Sequence, residues 1–293
     1  MSIVEIINYL EISEKANLIL ELLKKVQGEE YDSILNSAIN GNTGDKLKAQ
    51  AKALADKLQI NEYTLGLVAI ISLAEKTEKM YVEKGCEESF FEALHDVKQK
   101  IQETKKWYGV FGVHNFGWEA DFFCFKTLAM GRLEFSAYYF TDYEYNGIVK
   151  INKGDRVLSV HIPSGRKLDI EECYKSLKRA FKYFKEVRIG KYMPVILTNW
   201  FLYPPFEQLF SPDGNLIKFK NLFDVIGSED YPDYNRIGMR VFDTLDVSNI
   251  DALPQDTSLR KKFVKWIKDK KPCGYGIGYL LFDGEKVVTG KKV

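Results

Sequence analysis

Histidine is scarce in this chain, with three in 293 residues, and the four cysteines, Cys86, Cys124, Cys173 and Cys273, stand far apart. No CxxC pair occurs and no histidines lie nearby to complete a tetrahedral set, so a zinc-built fold and a disulfide scaffold are both excluded. The thiols read as reduced and mostly buried, and no metal is expected. An excess of either charge is also missing. Lys plus Arg is 42 and Asp plus Glu is 41, a formal net charge of +1, which removes the general reason to expect nucleic acid or an anionic membrane as partner. The longest apolar run, Leu65 to Ala74, falls well short of the roughly 20 residues a membrane helix needs. The N-terminus, MSIVEIINYLEISEK, has no basic stretch and interrupts its apolar part with Glu5 and Glu11, which argues against a signal peptide and for a cytoplasmic protein. No internal repeat or low-complexity segment is evident.

What is present divides near residue 130. Before it the apolar spacing is helical. Ser13 is a candidate cap for a helix with Ala16, Ile19, Leu20, Leu23 and Val26 on one side, and Gly28 ends it. The spacing predicts further helices over 45–58, from Asn61 to Tyr81 and over 87–108. An aromatic-rich stretch from Trp118 to Leu128 reads as a short fifth helix, although Phe122-Phe123-Cys124-Phe125 would also suit a strand. After Gly131 the pattern becomes mixed. Arg132–Thr141 alternates as a strand with Arg132, Glu134, Ser136 and Tyr138 on one face. A turn follows over Asp142–Gly147. Strands are expected over 148–151, 157–162, 193–198, 215–226, 237–245 and 275–282, the last closing as a hairpin onto 285–289. Helices are expected after Asp169 and after Asp256 or Thr257.

The most organised stretch is Gly154–Phe184. A β-branched apolar strand ends at Pro163-Ser164-Gly165, and Asp169 followed by Glu172 opens a helix whose Ile170, Cys173, Tyr174, Leu177 and Phe181 recur at three and four. A strand, loop and helix in this order can carry a ligand phosphate at the helix N-terminus, and it is also ordinary α/β packing.

Three stretches carry a resemblance: GRLEF at Gly131–Phe135, GDRVLSVHIPSG at Gly154–Gly165, and TNWFLYPPFEQLF with SPDGNLIKFKNLF over Thr198–Phe223. With Tyr81–Trp118 they cover a little over a quarter of the chain, which resembles the bacterial acyltransferase-domain proteins. These have a helical N-terminal domain and a C-terminal domain similar to the GNAT superfamily of acyl-CoA-dependent N-acyltransferases. The resemblance implies an α+β protein, with a helical domain over residues 1–130 and a GNAT-like mixed β-sheet domain flanked by helices over 131–293. It implies transfer of an acyl group from acyl-CoA or acetyl-CoA to a small-molecule or peptide amine, and makes Gly154–Phe184 the central strand, pyrophosphate loop and helix. The alternative is a catalytically silent GNAT-like protein that binds a ligand or a protein partner. One departure favours it. GNAT loops run R/Q-x-x-G-x-G/A, whereas here Pro163-Ser164-Gly165-Arg166-Lys167-Leu168 has one glycine and the following helix begins with Asp169, Glu171 and Glu172, which oppose a phosphate.

Acyl transfer to an amine needs a base, an oxyanion donor and an acid for the leaving thiolate. The catalytic candidates are His161 at the strand end, Glu134 within an apolar strand where burial raises its pKa, and Tyr138 on the same face. Each has a plainer reading: a core histidine bonded to backbone, a structural partner of Arg132, a packed tyrosine. Ser164, Gly165, Arg166 and Lys167 are the donor-binding candidates, and Asn199 and Trp200, just past a strand end, the substrate-binding ones. The basic helix with Arg260, Lys261, Lys262, Lys265 and Lys268 reads as a solvated face. Gly274-Tyr275-Gly276-Ile277-Gly278 lacks the spacing and the following helix of a dinucleotide loop.

Overall fold

The computed structural model describes residues 1–139 and 144–290. Residue contacts divide the chain into two compact units, Met1–Ser136 with Ile162–Arg166, and the remainder. The first unit carries α1 (Ile3–Tyr9), α2 (Ala16–Val26), α3 (Glu29–Ile39), α4 (Asp45–Leu58), α5 (Glu62–Glu83), α6 (Glu87–Tyr108) and α7 (Phe116–Phe123). Every residue of α5 from Leu65 to Ala74 is buried, because α5 touches α1, α3, α4, α6 and α7. An all-round apolar run suits only such a central place. Its start is set by Asn61, whose side chain accepts from the Tyr63 amide at 2.9 Å. The fully buried Tyr81 packs edge-on to Phe90 at 5.4 Å between centroids, and its hydroxyl donates to the Phe122 carbonyl at 2.6 Å. A large side chain buried in this way stabilises the fold by about 1.5–3 kcal/mol. The helix α6 buries Phe90, Ala93, Leu94, Val97 and Ile101 and stops at Gly109, whose φ of 68° is left-handed.

Two helices lie where none is expected from the sequence. A capping box between Ser2 and Glu5 opens the seven-residue α1, and α3 buries Tyr31, Ile34, Leu35 and Ala38 at helical spacing. The aromatic stretch expected as one helix divides. Beyond α7, Phe125 takes a φ of 62° and Thr127–Met130 becomes β1, because it pairs antiparallel with β2 (Leu133–Tyr139), Ala129 opposite Glu134. Leu133, Glu134 and Phe135 are all buried, so both faces at the start of β2 are covered. The last two residues expected in that strand, 140 and 141, and the start of the expected turn, 142 and 143, lie outside the described residues.

In the second unit β3 (Tyr145–Asn146) and β4 (Lys150–Ile151) form a small ribbon, shorter than the strand expected over 148–151. The strands β5 (Arg156–His161), β6 (Met193–Asn199), β7 (Asp224–Asp230) and β8 (Gly274–Phe282) run in the order β5-β6-β8-β7, β5 parallel to β6 and the rest antiparallel. One face buries Val157, Ile196, Ile277, Tyr279 and Leu281 with Tyr145 and Ile151. Phe282 meets the rings of Tyr174 and Phe181 from α8 (Ile170–Tyr183). Three strand expectations are corrected. Residues 215–220 form the short helix α9 (Asn215–Lys220) and the strand begins only at Asp224. A short apolar run cannot tell helix from strand by period alone. Residues 237–245 carry the end of α10 (Asn235–Ile237), then a π-turn over Gly238–Phe242 that buries Val241 and Phe242 and ends at Asp243 with a φ of 57°. After Phe282 the Asp283 carboxylate accepts from the amides of Glu285 and Lys286, and the return makes one bridge, Phe282 to Val287, rather than a strand. Thr257 caps α11 (Ser258–Lys268) as expected. The four cysteines are free thiols, and Cys86, Cys173 and Cys273 are buried.

Candidate functional site

In the second unit the site candidates lie at the C-terminal ends of β5 and β6. Pairing between these strands is confined to Leu158 with Val195 and Ser159 with Ile196. Meanwhile β6 stays paired to β8 as far as Asn199 opposite Gly276. Past Ser159 the two parallel strands therefore part, and the backbone of Val160–His161 and of Leu197–Asn199 lines the parting. Main-chain N–H and C=O groups on such strand edges are suited to an extended amide-bearing ligand. His161 closes β5 and is half-buried. Asn199 closes β6, and its side-chain oxygen is buried without a hydrogen-bond partner, the mark of a polar group left for a ligand or a water. Trp200 follows, but its ring meets Phe201, Phe206, Phe210 and Phe263 edge-on, a packing cluster. Tyr138 is 38% exposed, toward the outer end of β2. Lys167 and Leu168 border a cavity of about 670 Å³ whose other walls include Leu209, Phe210, Leu216 and Leu259.

The loop residues Pro163–Arg166 belong to the first unit and are tied down there. Arg132 donates to the carbonyl of Pro163 at 2.9 Å and to that of Arg166 at 2.9 Å, while the Arg166 guanidinium donates to Gly131 O at 3.0 Å. Gly165 has a φ of 82°, and a Cβ there would fall on the Gln99 side chain. Only glycine fits both demands. Ser164 donates to Glu103 and accepts from Lys100 Nζ at 3.3 Å. Gly165, Arg166 and Lys167 are exposed. At the start of α8 the Asp169 carboxylate accepts from the amides of Glu171 and Glu172 at 3.0 and 3.1 Å, so two helix N–H groups that an anion would use are already occupied.

Beneath the loop lies a group of side chains that the sequence reading only touched through Glu134. Glu134 from β2, Glu119 from α7 and Asp96 from α6 are 1%, 0% and 3% exposed, and none of their six carboxyl oxygens has a hydrogen-bond partner. Burial holds Glu119 and Glu134 well above the usual carboxylate range. The neighbouring Asp96 adds to the rise in both, and Lys100 opposes it. Burial raises Asp96 as well, against Lys100. Burial disfavours the charge on Lys100, yet Asp96 and Glu103 outweigh it and lift its pKa above the ordinary lysine value. Lys100 Nζ donates to Glu103 at 2.9 Å. Ionised carboxylates in such a place cost several kcal/mol each, which pushes all three toward the protonated form against the pull of Lys100. One sequence signal was available: Asp96 and Lys100 stand four apart on the very face of α6 that carries Ala93, Val97 and Ile101. Nothing local marks Glu119 within its aromatic stretch.

Two family models match the chain, an N-acyltransferase N-terminal domain over residues 1–125 and a GNAT-like C-terminal domain over residues 127–280. The chain belongs to this GNAT-like N-acyltransferase family. The GNAT-like match spans β1 to β8 and so includes both parting strands. A crystal structure of an acyltransferase in complex with decanoyl-CoA and teicoplanin is similar to the chain with a TM-score of 0.67 at 18% identity, over 85% of this chain and 75% of that one. Another, of an acyltransferase in complex with CoA and 10C-teicoplanin, has a TM-score of 0.63 at 17% identity, over 95% and 99%. At these identities the likeness is one of fold. No curated protein matches the chain. Among the described residues no group of histidine, cysteine and acidic side chains has a metal-holding arrangement, and no helix is long and apolar enough to cross a membrane.

Proposed function

We propose that this GNAT-like protein is an acyl-CoA-dependent N-acyltransferase acting on a small-molecule or peptide amine. The observation that carries the reading is the parting of β5 and β6 after Ser159 and Ile196, in a chain of this family. The pantetheine amides of the donor would pair with the freed strand edges, and the thioester would lie toward His161 and Asn199. Support for the donor and acceptor classes comes from the acyltransferases of the same fold, whose structures hold decanoyl-CoA and teicoplanin. In the reaction the amine nitrogen attacks the thioester carbonyl, the new C–N bond forms and the C–S bond breaks. The ammonium proton must leave first and the thiolate must gain one. His161 is the base in this reading, and the Asn199 side-chain oxygen orients the amine by accepting one of its N–H bonds. Tyr138 is the proton donor to the thiolate. Glu134, buried and held above the usual carboxylate range, acts with its neighbours and does not touch the substrate. Ser164, Gly165, Arg166 and Lys167 hold the donor phosphates, and the cavity bordered by Lys167 and Leu168 takes the far end of the donor.

Calorimetry with acetyl-CoA, octanoyl-CoA and decanoyl-CoA tests the donor half, and thiol release with a panel of primary amines tests the reaction. Absence of binding at millimolar donor would end the enzyme reading. The second reading, a silent binding protein, draws on the single loop glycine and on the occupied N–H groups at Glu171 and Glu172. Donor binding without thiol release from any amine would favour it.

A further inference from the structure

The loop Pro163–Arg166 is held from below by side chains to which the proposed reaction gives no part. Lys100 is the hub. Its ammonium donates to Glu103 and to Ser164, and Ser164 donates in turn to Glu103. The same ammonium faces Asp96 one helical turn back and Glu119 on α7, while Glu134 faces Asp96, Lys100, Glu119 and Arg132. Arg132 is engaged with the loop carbonyls, which leaves Lys100 as the cation able to answer a change of charge below. Lys100 is itself buried, but its four-carbon stem has more rotatable bonds than the carboxyl side chains on α6, α7 and β2.

We propose that Lys100 is a positioning residue for the donor-binding loop, and that protons shared among Asp96, Glu119 and Glu134 decide whether it holds Ser164. With the carboxyls protonated there is no strong rival for the ammonium, and it stays on Glu103 and Ser164. When they ionise, two or three negative charges appear beside it in a medium that screens them poorly. The ammonium is then drawn inward and Ser164 is released. The loop is therefore held at lower pH and loosened as pH rises through the raised values of the carboxyls. Lys100 keeps its charge throughout, and His95 is held below its ordinary value by burial and by Arg166 and Lys98. Asp96 also faces Glu103 and Arg166. Glu103 competes with the cluster for the same ammonium; Arg166 keeps its charge and pulls the other way, but its guanidinium is held on Gly131 O, so the contact of Lys100 with Ser164 sets the direction.

The inference rests on the loop being part of the donor site, and two measurements separate the two ideas. Octanoyl-CoA affinity without an acceptor, followed as pH rises from the ordinary carboxylate range to about pH 9, is expected to weaken about tenfold in the wild type, the scale of one charge-assisted hydrogen bond. Glu119→Gln, which stays neutral, is expected to flatten that profile. Lys100→Met is expected to give the weak value at every pH. Amide hydrogen exchange over residues 162–168 in the free protein, corrected for intrinsic rates, is expected to quicken over the same range in the wild type and not in Glu119→Gln. Glu134→Gln serves in the same role if Glu119→Gln does not fold. Loop exchange that follows pH while octanoyl-CoA fails to bind would sink the donor reading and leave the loop device standing. A wild type whose loop exchange and affinity ignore pH, or a folded Lys100→Met with wild-type loop protection, would overturn the device.

Discussion

Replacing Glu119 by glutamine should make the protein less sensitive to rising pH, and the size of the effect follows from burial. Glu119 is fully enclosed, both its oxygens lack hydrogen-bond partners, and burial favours its protonated form in the native state. In the unfolded chain the same carboxyl titrates in its ordinary range. Between the two values the native state binds the extra proton, so stability is fully present below the unfolded value and is lost as pH rises toward the folded one. The slope is about 1.4 kcal/mol per pH unit for each proton retained. Over steps from about pH 5 to about pH 7 the wild type should therefore lose stability that the glutamine variant keeps, at up to that slope. The absolute stability of the variant at one pH is a poor guide, because a buried amide has hydrogen-bonding needs of its own. The difference in slope is the readout. Urea unfolding followed by far-UV circular dichroism, in steps between those two pH values, gives it for both proteins. Parallel stability profiles would show that Glu119 titrates alike in both states and that the enclosed cluster carries no protons, and the argument for the loop device would fall with it.

Three further expectations bear on the site. His161→Ala should lower kcat by about 10²–10⁴ with octanoyl-CoA affinity unchanged, and an unaltered turnover with any accepted amine would remove His161 from the mechanism. Asp169→Ala should cost about 1 kcal/mol of α8 stability while tightening octanoyl-CoA binding, since the amides of Glu171 and Glu172 become available to an anion. Weaker binding by calorimetry would mean that the donor phosphates do not lie there. Gly165→Ala should destabilise the loop by roughly 1–3 kcal/mol and weaken donor binding, with partial recovery of thermal stability in Gly165→Ala/Gln99→Ala because the crowding at Gln99 is relieved while the positive φ is not.

Much of the architecture was legible in the chain because it rests on local chemistry. The run from Leu65 to Ala74 announces a central helix, Asp169 and Thr257 announce helix starts, and the β-branched stretch from Val157 announces a buried strand. Each depends on neighbours within a turn or two. The errors fall where tertiary partners decide. Thr127–Met130 is extended because Leu133–Ser136 pairs with it, and Ile217 and Phe219 are buried in a short helix that touches α8. The importance of Glu134 was visible as a carboxyl in an apolar strand. That it faces Glu119 and Asp96, from two helices earlier in the chain, was not, since side chains far apart in sequence meet only through packing. Sequence alone thus determined the helical and mixed halves, the family and the loop with its single glycine. The tertiary structure alone decided that β5 and β6 part beyond Ser159 and that a lysine over three buried acids holds Ser164, because strand divergence and shared burial are properties of elements brought together and leave no periodic trace in any one of them.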